Sequence, residues 1–265
     1  MEYDQLRRGC IEEGLRHAIG RGELSLVWQP VVDGASGETV GAEALLRWTN
    51  AALGSVSPCE FIPVAEEAGL IGGIGDWVMS EACEQTAQWR GILPPEFEIA
   101  VNVSPHQLDE RFTQHVARCL ERNGLPSSTL QLEITESTVL PDTACVASTM
   151  GALAARGIEL MIDDFGTGFS SLTSLNRFAW AGFKIDRGFV AGLPHERGSV
   201  AITDALVRMA RSLDMKVTAE GVETREQADY LREAGCNRLQ GYLFDRPLHA
   251  EDFIDRYMKA RTKSD

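Results

Sequence analysis

The chain is predicted to fold as a (β/α) barrel, and three observations predict it. Eight short strand-like runs alternate with longer segments of helical period. The 265 residues, 44% of them hydrophobic, are enough for one such barrel, and no Pro/Gly/Ser-rich linker divides them into two domains. The third observation is an acid or amide at the far end of most runs. Glu43 closes VGAE, Asn102 closes IAVN, Glu133 lies in LQLEI, Asp163 and Asp164 close LMIDD, Glu220 closes VTAE and Gln240 closes RLQ. Parallel strands of one barrel would bring all seven to a single rim, the end where barrel active sites are built.

Taken in order, residues 4–20 read as an amphipathic lead-in helix or the end of a linker, and 1–20 are assigned to that segment. Strands follow at 24–32, 40–46, 97–103, 130–134, 159–162, 183–185, 216–219 and 237–240, with the barrel closing by residue 258 and a short tail at 259–265. Ser57-Pro58-Cys59-Glu60 and Ser104-Pro105-His106-Gln107 each combine a capping box with proline at the first helical position, and Thr224 to Gln227 repeats the box. These boxes predict where loops end and helices begin.

Charge narrows the function. A formal net charge of −14 argues against binding a DNA or RNA polymer or an anionic membrane, both of which need a basic patch. The longest apolar stretches are interrupted by acids, as Glu66 and Glu67 interrupt FIPVAEEAGLIGGIG, so no segment inserts into a bilayer. Six cysteines are scattered without a CxxC pair and no secretory signal precedes them, which predicts reduced, mostly buried thiols and a cytoplasmic setting. Carboxylates gathered on one rim repel one another unless a cation joins them. Oxygen donors without imidazole or thiolate select a hard ion, Mg²⁺ or Mn²⁺, over zinc. Adjacent strand residues point in different directions, so Asp163 can bridge two ions while Asp164 serves one. Lys184, after the sixth strand, is placed to orient a water or hold a phosphate oxygen, and Arg47 offers the planar fork that suits phosphate.

Together AEALLRW (42–48), FIPVAEE (61–67), NVSPHQL (102–108), LEITES (132–137), IDDFGTGFSSL (162–172), KIDRGFV (184–190), AEGVET (219–224) and QGYLF (240–244) resemble the EAL domain family. The resemblance runs from about residue 15 to residue 250, with the motifs in family order. It implies a modified TIM (β/α)8 barrel whose first strand, LSLVWQPVV, is antiparallel. It also implies hydrolysis of the bacterial second messenger cyclic di-GMP to linear pGpG. Carried over by residue, it assigns Glu43, Asn102, Glu133 and Asp163 to one metal, and Asp163, Asp164 and Glu220 to the second. Lys184 would contact the attacking water, with Glu43, Asp163 and Glu220 completing the catalytic set. Arg47 would take a substrate phosphate, Gln240 would support the water and the metal shell, and Gln29 and Asp186 fall on the substrate side. Glu136 resembles the glutamate that shapes the loop at 163–168, and Glu223 supports the shell around Glu220. The partners so implied are cyclic di-GMP, a second copy in a homodimer, and a sensor or GGDEF-type domain upstream in a longer parent.

Departures lie outside the metal set. Phe178-Ala179-Trp180-Ala181-Gly182 replaces a Leu-Pro-Val-Asp-like stretch near the family's dimer surface, Gly188 replaces a common serine and Trp28 a common tyrosine. Two other classes compete with the hydrolase. A catalytically silent cyclic di-GMP receptor would be marked by a broken metal set. A Mg²⁺-dependent lyase or isomerase barrel would need a lysine or histidine facing a carbon acid. Asp164-Phe165-Gly166 mimics a kinase magnesium motif, but no HRD-type loop or glycine-rich phosphate loop accompanies it.

Overall fold

The computed structural model describes residues 2–135, 144–166, 175 and 178–261. Eight strands form a closed ring: β1 (Leu24–Asp33), β2 (Thr39–Asn50), β4 (Glu98–Asn102), β5 (Leu130–Thr135), β6 (Glu159–Phe165), β7 (Gly182–Ile185), β8 (Lys216–Ala219) and β9 (Arg238–Gln240). A ninth, β3 (Gly54–Val56), hairpins onto the end of β2 and was not evident in the sequence. From β2 through β4 to β9 every neighbour is parallel, whereas β1 runs antiparallel to both β2 and β9 and closes the ring between them. The antiparallel first strand is thus present as expected.

Helices cover the ring: α1 (Glu2–Ala18), α2 (Pro58–Glu67), α3 (Ile71–Gln88), α4 (Glu110–Asn123), α5 (Ala144–Ala155), α6 (Arg187–Val190), α7 (Arg197–Ser212), α8 (Arg225–Ala234) and α9 (Ala250–Arg261). With helices outside and side chains filling the inside, strands are buried on both faces. That is why β1 reads as a nearly unbroken apolar run rather than an alternating one. Ile11, Leu15 and Ala18 of α1 join the same core, so this helix is packed as part of the body.

Local chemistry fixes the helix ends. Asp109 caps α4 by accepting from the Phe112 amide at 2.8 Å, and Gly124 closes it in the left-handed region at φ 61°. The capping box forms at Thr224 and Gln227, and also at Ser104 and Gln107, where it opens a 3₁₀ turn instead of an α-helix. The box expected at Ser57 does not form: Pro58 is in the first turn, but the Ser57 side chain makes no cap and Glu60 is drawn to Arg7 of α1. All six cysteines are free, yet Cys10, Cys59 and Cys145 are exposed, which corrects the expectation that most are buried.

At the N-terminal ends of the strands, charges are matched. Arg238, which opens β9, reaches Glu98, which opens β4, at 2.7 Å. Lys216, which opens β8, reaches Glu159, which opens β6, at 2.6 Å and Glu98 at 3.7 Å. Two acids and two bases thus tie four strands together across the floor of the barrel.

Candidate active site at the C-terminal rim

The opposite ends of the same strands build a cleft of about 700 Å³. Its lining includes Gln29, Glu43, Arg47, Asn102, Asp163, Asp164, Asp186, Glu220, Glu223 and Gln240, so ten residues singled out in the sequence meet at one place. Glu133 and Lys184 lie beneath it, 2% and 1% exposed. Strand register explains the difference in depth. Thr135 is level with Asp163 across β5 and β6, so Glu133, two residues earlier on the same face, lies one layer lower.

Lys184 is the centre of the cluster. Its Nζ lies 2.6 Å from Glu220 Oε1, 2.8 Å from Glu133 Oε2, 3.2 Å from Glu43 Oε2 and 3.5 Å from Asp163 Oδ1. Glu43 is further fixed by Asn102, whose Nδ2 donates to its Oε1 at 2.6 Å, and by Gln240, whose Nε2 donates to its Oε2 at 2.7 Å. Gln240 also donates to Gln29 Oε1 at 3.2 Å, and Gln29 donates onward to the Asp245 carbonyl at 3.3 Å.

One ammonium cannot balance so many acids, and proton affinities record the strain. Burial pushes the Glu133 carboxyl well up, and neighbouring Glu43 and Asp163 add to it against Lys184. Burial raises Glu220 to about 8, with Asp163 and Glu43 reinforcing the rise. Burial raises Asp164 to about 6, helped by Asp163 and Asp186. Burial also opposes charge on Glu43, but Lys184, Gln240 and Asn102 outweigh it and hold that carboxyl low. Burial likewise works against the Lys184 ammonium, and the four surrounding carboxylates overcome it and drive its pKa up.

The paired aspartates depart from the expected divergence. The β6–β7 register slips between Ile162 and Phe165, and Asp164 takes a left-handed backbone at φ 53°. This irregularity cancels the alternation of a regular strand, so Asp163 and Asp164 face the same cleft. With Glu220, which follows β8, they form a group whose ligand oxygens all lie within 4.8 Å of one another. Holding an aspartate in the left-handed region costs of order 1 kcal/mol, a strain typical of functional positions.

The donors suit a hard divalent cation. Every side chain of the cluster except Lys184 offers oxygen, its acids exceed its base, and Gln240 Oε1 is buried with no hydrogen-bond partner among the described residues. Asp186 caps α6 by accepting from the Gly188 amide at 2.9 Å, and the Glu223 amide is held by Gln227 at 2.8 Å. Glu136 lies outside the described residues.

The EAL domain family model matches residues 12–247. The chain belongs to the EAL domain family. The bifunctional diguanylate cyclase/cyclic di-GMP phosphodiesterase MucR of Pseudomonas aeruginosa is 43% identical over 91% of this chain and 35% of its own length. The cyclic di-GMP phosphodiesterase NbdA of the same species is 37% identical over 93% of this chain and 32% of its own. The chain therefore spans about a third of the curated relatives it matches. Among solved structures, the phosphodiesterase of PaMucR in a c-di-GMP complex superposes with a TM-score of 0.85 at 42% identity, covering 92% of this chain and 99% of that one. The EAL enzyme Bd1971 in its cAMP-bound form superposes with a TM-score of 0.89 at 30% identity, covering 95% of this chain and 70% of that one.

Several cleft residues had no role assigned from the EAL motifs. Ser104 donates to Glu66 at 2.6 Å, which joins the β4 loop to α2 on one wall. Tyr242, half exposed at the rim, carries the Arg246 guanidinium 4.2 Å from its ring centroid. Arg187 follows Asp186 into the cleft. Beyond the capping box at Ser104, the only signal for these was membership of the motifs FIPVAEE, NVSPHQL, QGYLF and KIDRGFV.

Proposed function

We propose that this EAL domain is a metal-dependent phosphodiesterase that hydrolyses cyclic di-GMP to linear pGpG. The observation that carries the proposal is the convergence of Glu43, Glu133, Asp163 and Glu220 on Lys184 Nζ at the C-terminal rim of the barrel. In this reading Glu43, Asn102, Glu133 and Asp163 would hold one Mg²⁺ or Mn²⁺, and Asp163, Asp164 and Glu220 a second. Such ions supply Lewis-acid charge that makes water a better nucleophile and stabilises the departing oxygen of an in-line displacement.

The chain's own residues supply the rest. Lys184, held by four carboxylates, helps keep Glu43 ionised against its burial and aims the four acids at one point. Gln240 fixes Glu43 through its amide nitrogen, and its own oxygen is buried beside the cluster with no partner among the described residues. Arg47, on β2 four residues past Glu43, gives up only one hydrogen bond among the described residues, to the Leu46 carbonyl at 2.9 Å, and keeps the rest of its fork for phosphate. Ile62, Ile71, Ile74 and Val78 give the cleft an apolar wall against which a nucleobase can lie. Relatives about three times as long, one of them a bifunctional cyclase, support a place for this domain beside a regulatory or GGDEF-type partner in a longer protein.

The test is chromatographic detection of pGpG from purified protein, cyclic di-GMP and Mg²⁺ or Mn²⁺, with chelator and Glu43→Gln as controls. Metal-dependent pGpG that disappears in both controls is the expected result. Tight cyclic di-GMP binding without product would identify a receptor and refute the hydrolase.

A further inference from the structure

The cleft contains two guanidinium groups that its acids do not neutralise. Seven carboxylates line it, Glu43, Glu66, Asp163, Asp164, Asp186, Glu220 and Glu223, and the only cations among its lining residues are Arg47 and Arg187. Elsewhere Arg7, Arg238 and Arg256 each take a carboxylate partner. Among the described residues Arg47 and Arg187 take none. For Arg187 the reason is local: the adjacent Asp186 is committed to the Gly188 amide as the cap of α6.

Their placement is opposed. Arg47 lies on β2 and Arg187 lies two residues past the end of β7, and in the closed ring these two strands are separated by three others whichever way one counts. The two residues therefore line the cleft from opposite sides of the ring. Arg187 is also tied to the catalytic loop. Gly221, the residue after Glu220, adopts φ +68°, and a Cβ there would fall 2.4 Å from the Arg187 Cβ. The stem of Arg187 thus packs directly on the backbone that carries Glu220, while the residue as a whole is exposed and its head is free to meet a ligand.

A cyclic dinucleotide carries two phosphodiesters on opposite sides of one ring, and only one is hydrolysed in the conversion to pGpG. The other still brings a negative charge into a cleft of seven acids and needs its own cation. Resting on the phosphodiesterase reading above, we infer that Arg187 binds the phosphate that is not attacked, while Arg47 serves the phosphate at the acid cluster. This two-point grip makes Arg187 a determinant of selectivity for a cyclic dinucleotide over a substrate with a single phosphodiester.

The experiment compares wild type, Arg187→Ala and Arg187→Lys on cyclic di-GMP and on bis(4-nitrophenyl) phosphate, with melting curves to confirm folding. Arg187→Ala should raise KM for cyclic di-GMP by about ten-fold with a much smaller change in kcat, the pattern of lost uniform binding. The single-phosphodiester substrate should lose far less. Arg187→Lys should recover part of the loss, because an ammonium still meets phosphate as a point charge although it lacks the fork. An unchanged KM in Arg187→Ala would overturn the assignment. So would an equal loss on both substrates, the mark of a structural role, or a lysine variant as poor as alanine, which would mean that positive charge is not what the position supplies. Wild-type protein that cleaves bis(4-nitrophenyl) phosphate but not cyclic di-GMP would instead remove the substrate reading itself, and Arg187's role with it.

Discussion

The two ends of this barrel are made by the same strands and obey opposite rules. β4, β6, β8 and β9 begin with Glu98, Glu159, Lys216 and Arg238, two acids and two bases that pair across the floor. At or just beyond their other ends stand Asn102, Asp163 and Asp164, Glu220 and Gln240, which with Glu43 and Glu133 set five acids around the single base Lys184. Balanced charge at the floor needs nothing further. At the rim the acids outnumber the base and a bound cation would complete the balance, so the candidate place for chemistry can be read from where the fold leaves charge unmatched.

The largest test of this contrast is catalytic. Glu43→Gln should lower cyclic di-GMP turnover by roughly a hundred-fold or more, beyond the range seen for groups that only support a metal ligand, whereas Glu98→Gln should retain turnover and lose only stability. Product chromatography and thermal melts on both variants separate the two ends; comparable loss of turnover in each would erase the distinction.

Next in size is Lys184→Met. It strands buried carboxylates without their ammonium, and breaking a buried pair on one side destabilises by about 3–5 kcal/mol. Denaturant titration of chelated protein should show that loss, and a fall under 1 kcal/mol would mean that the four contacts contribute little.

Metal and pH come third. Mg²⁺ or Mn²⁺ at about a hundred times its dissociation constant should stabilise the protein by about 2.7 kcal/mol through binding linkage. The shift should shrink in Glu43→Gln, which loses a ligand of one of the two ions, and persist in full in Glu98→Gln. For chelated protein the pH sign follows from the raised carboxyls. The fold favours the protonated forms of Asp164 and Glu220, so their contribution is complete below their ordinary values of 3.8 and 4.5. It is lost as pH rises through about 6 for Asp164 and about 8 for Glu220. Melting temperature should therefore fall between pH 5 and 8.5, and Glu220→Gln should flatten the upper part of that fall. A melting temperature that climbs across the window would contradict the assigned environment.

The smallest effect belongs to the floor. A double-mutant cycle on Glu98 and Arg238 should give a coupling of about 1 kcal/mol, since the pair is largely but not wholly withdrawn from solvent. Raising the salt concentration should shrink it.

Much of this was legible in the sequence because the barrel is built from repeats of one local rule. Apolar runs bounded by capping signals located all eight ring strands, and the acid or amide at the far end of most runs marked the rim. The motifs, rather than periodicity, indicated that LSLVWQPVV runs backwards. What stayed hidden depends on register. A slip of one residue turned Asp163 and Asp164 toward a common cleft, although strand alternation predicts the opposite. Depth was equally invisible: Glu133 and Asp163 look alike at the ends of their runs, yet one is sealed below the other. The Ser57 box failed because Glu60 found a partner 53 positions away in Arg7, a contact that local sequence cannot encode.

The reversed strand has a mechanical consequence. In an all-parallel barrel the chain enters the ring from the floor. Here Leu24, the first residue of β1, pairs with Trp48 near the end of β2, so the chain enters beside the mouth. α1 arrives there already fastened to α2 by Arg7 and Glu60, whose second contact is 2.8 Å. α2 in turn supplies Pro58, Cys59, Ile62 and Glu66 to the wall of the cleft. A push, pull or twist delivered along α1 would thus be felt at the lip of the cleft, one helix away, without crossing the barrel.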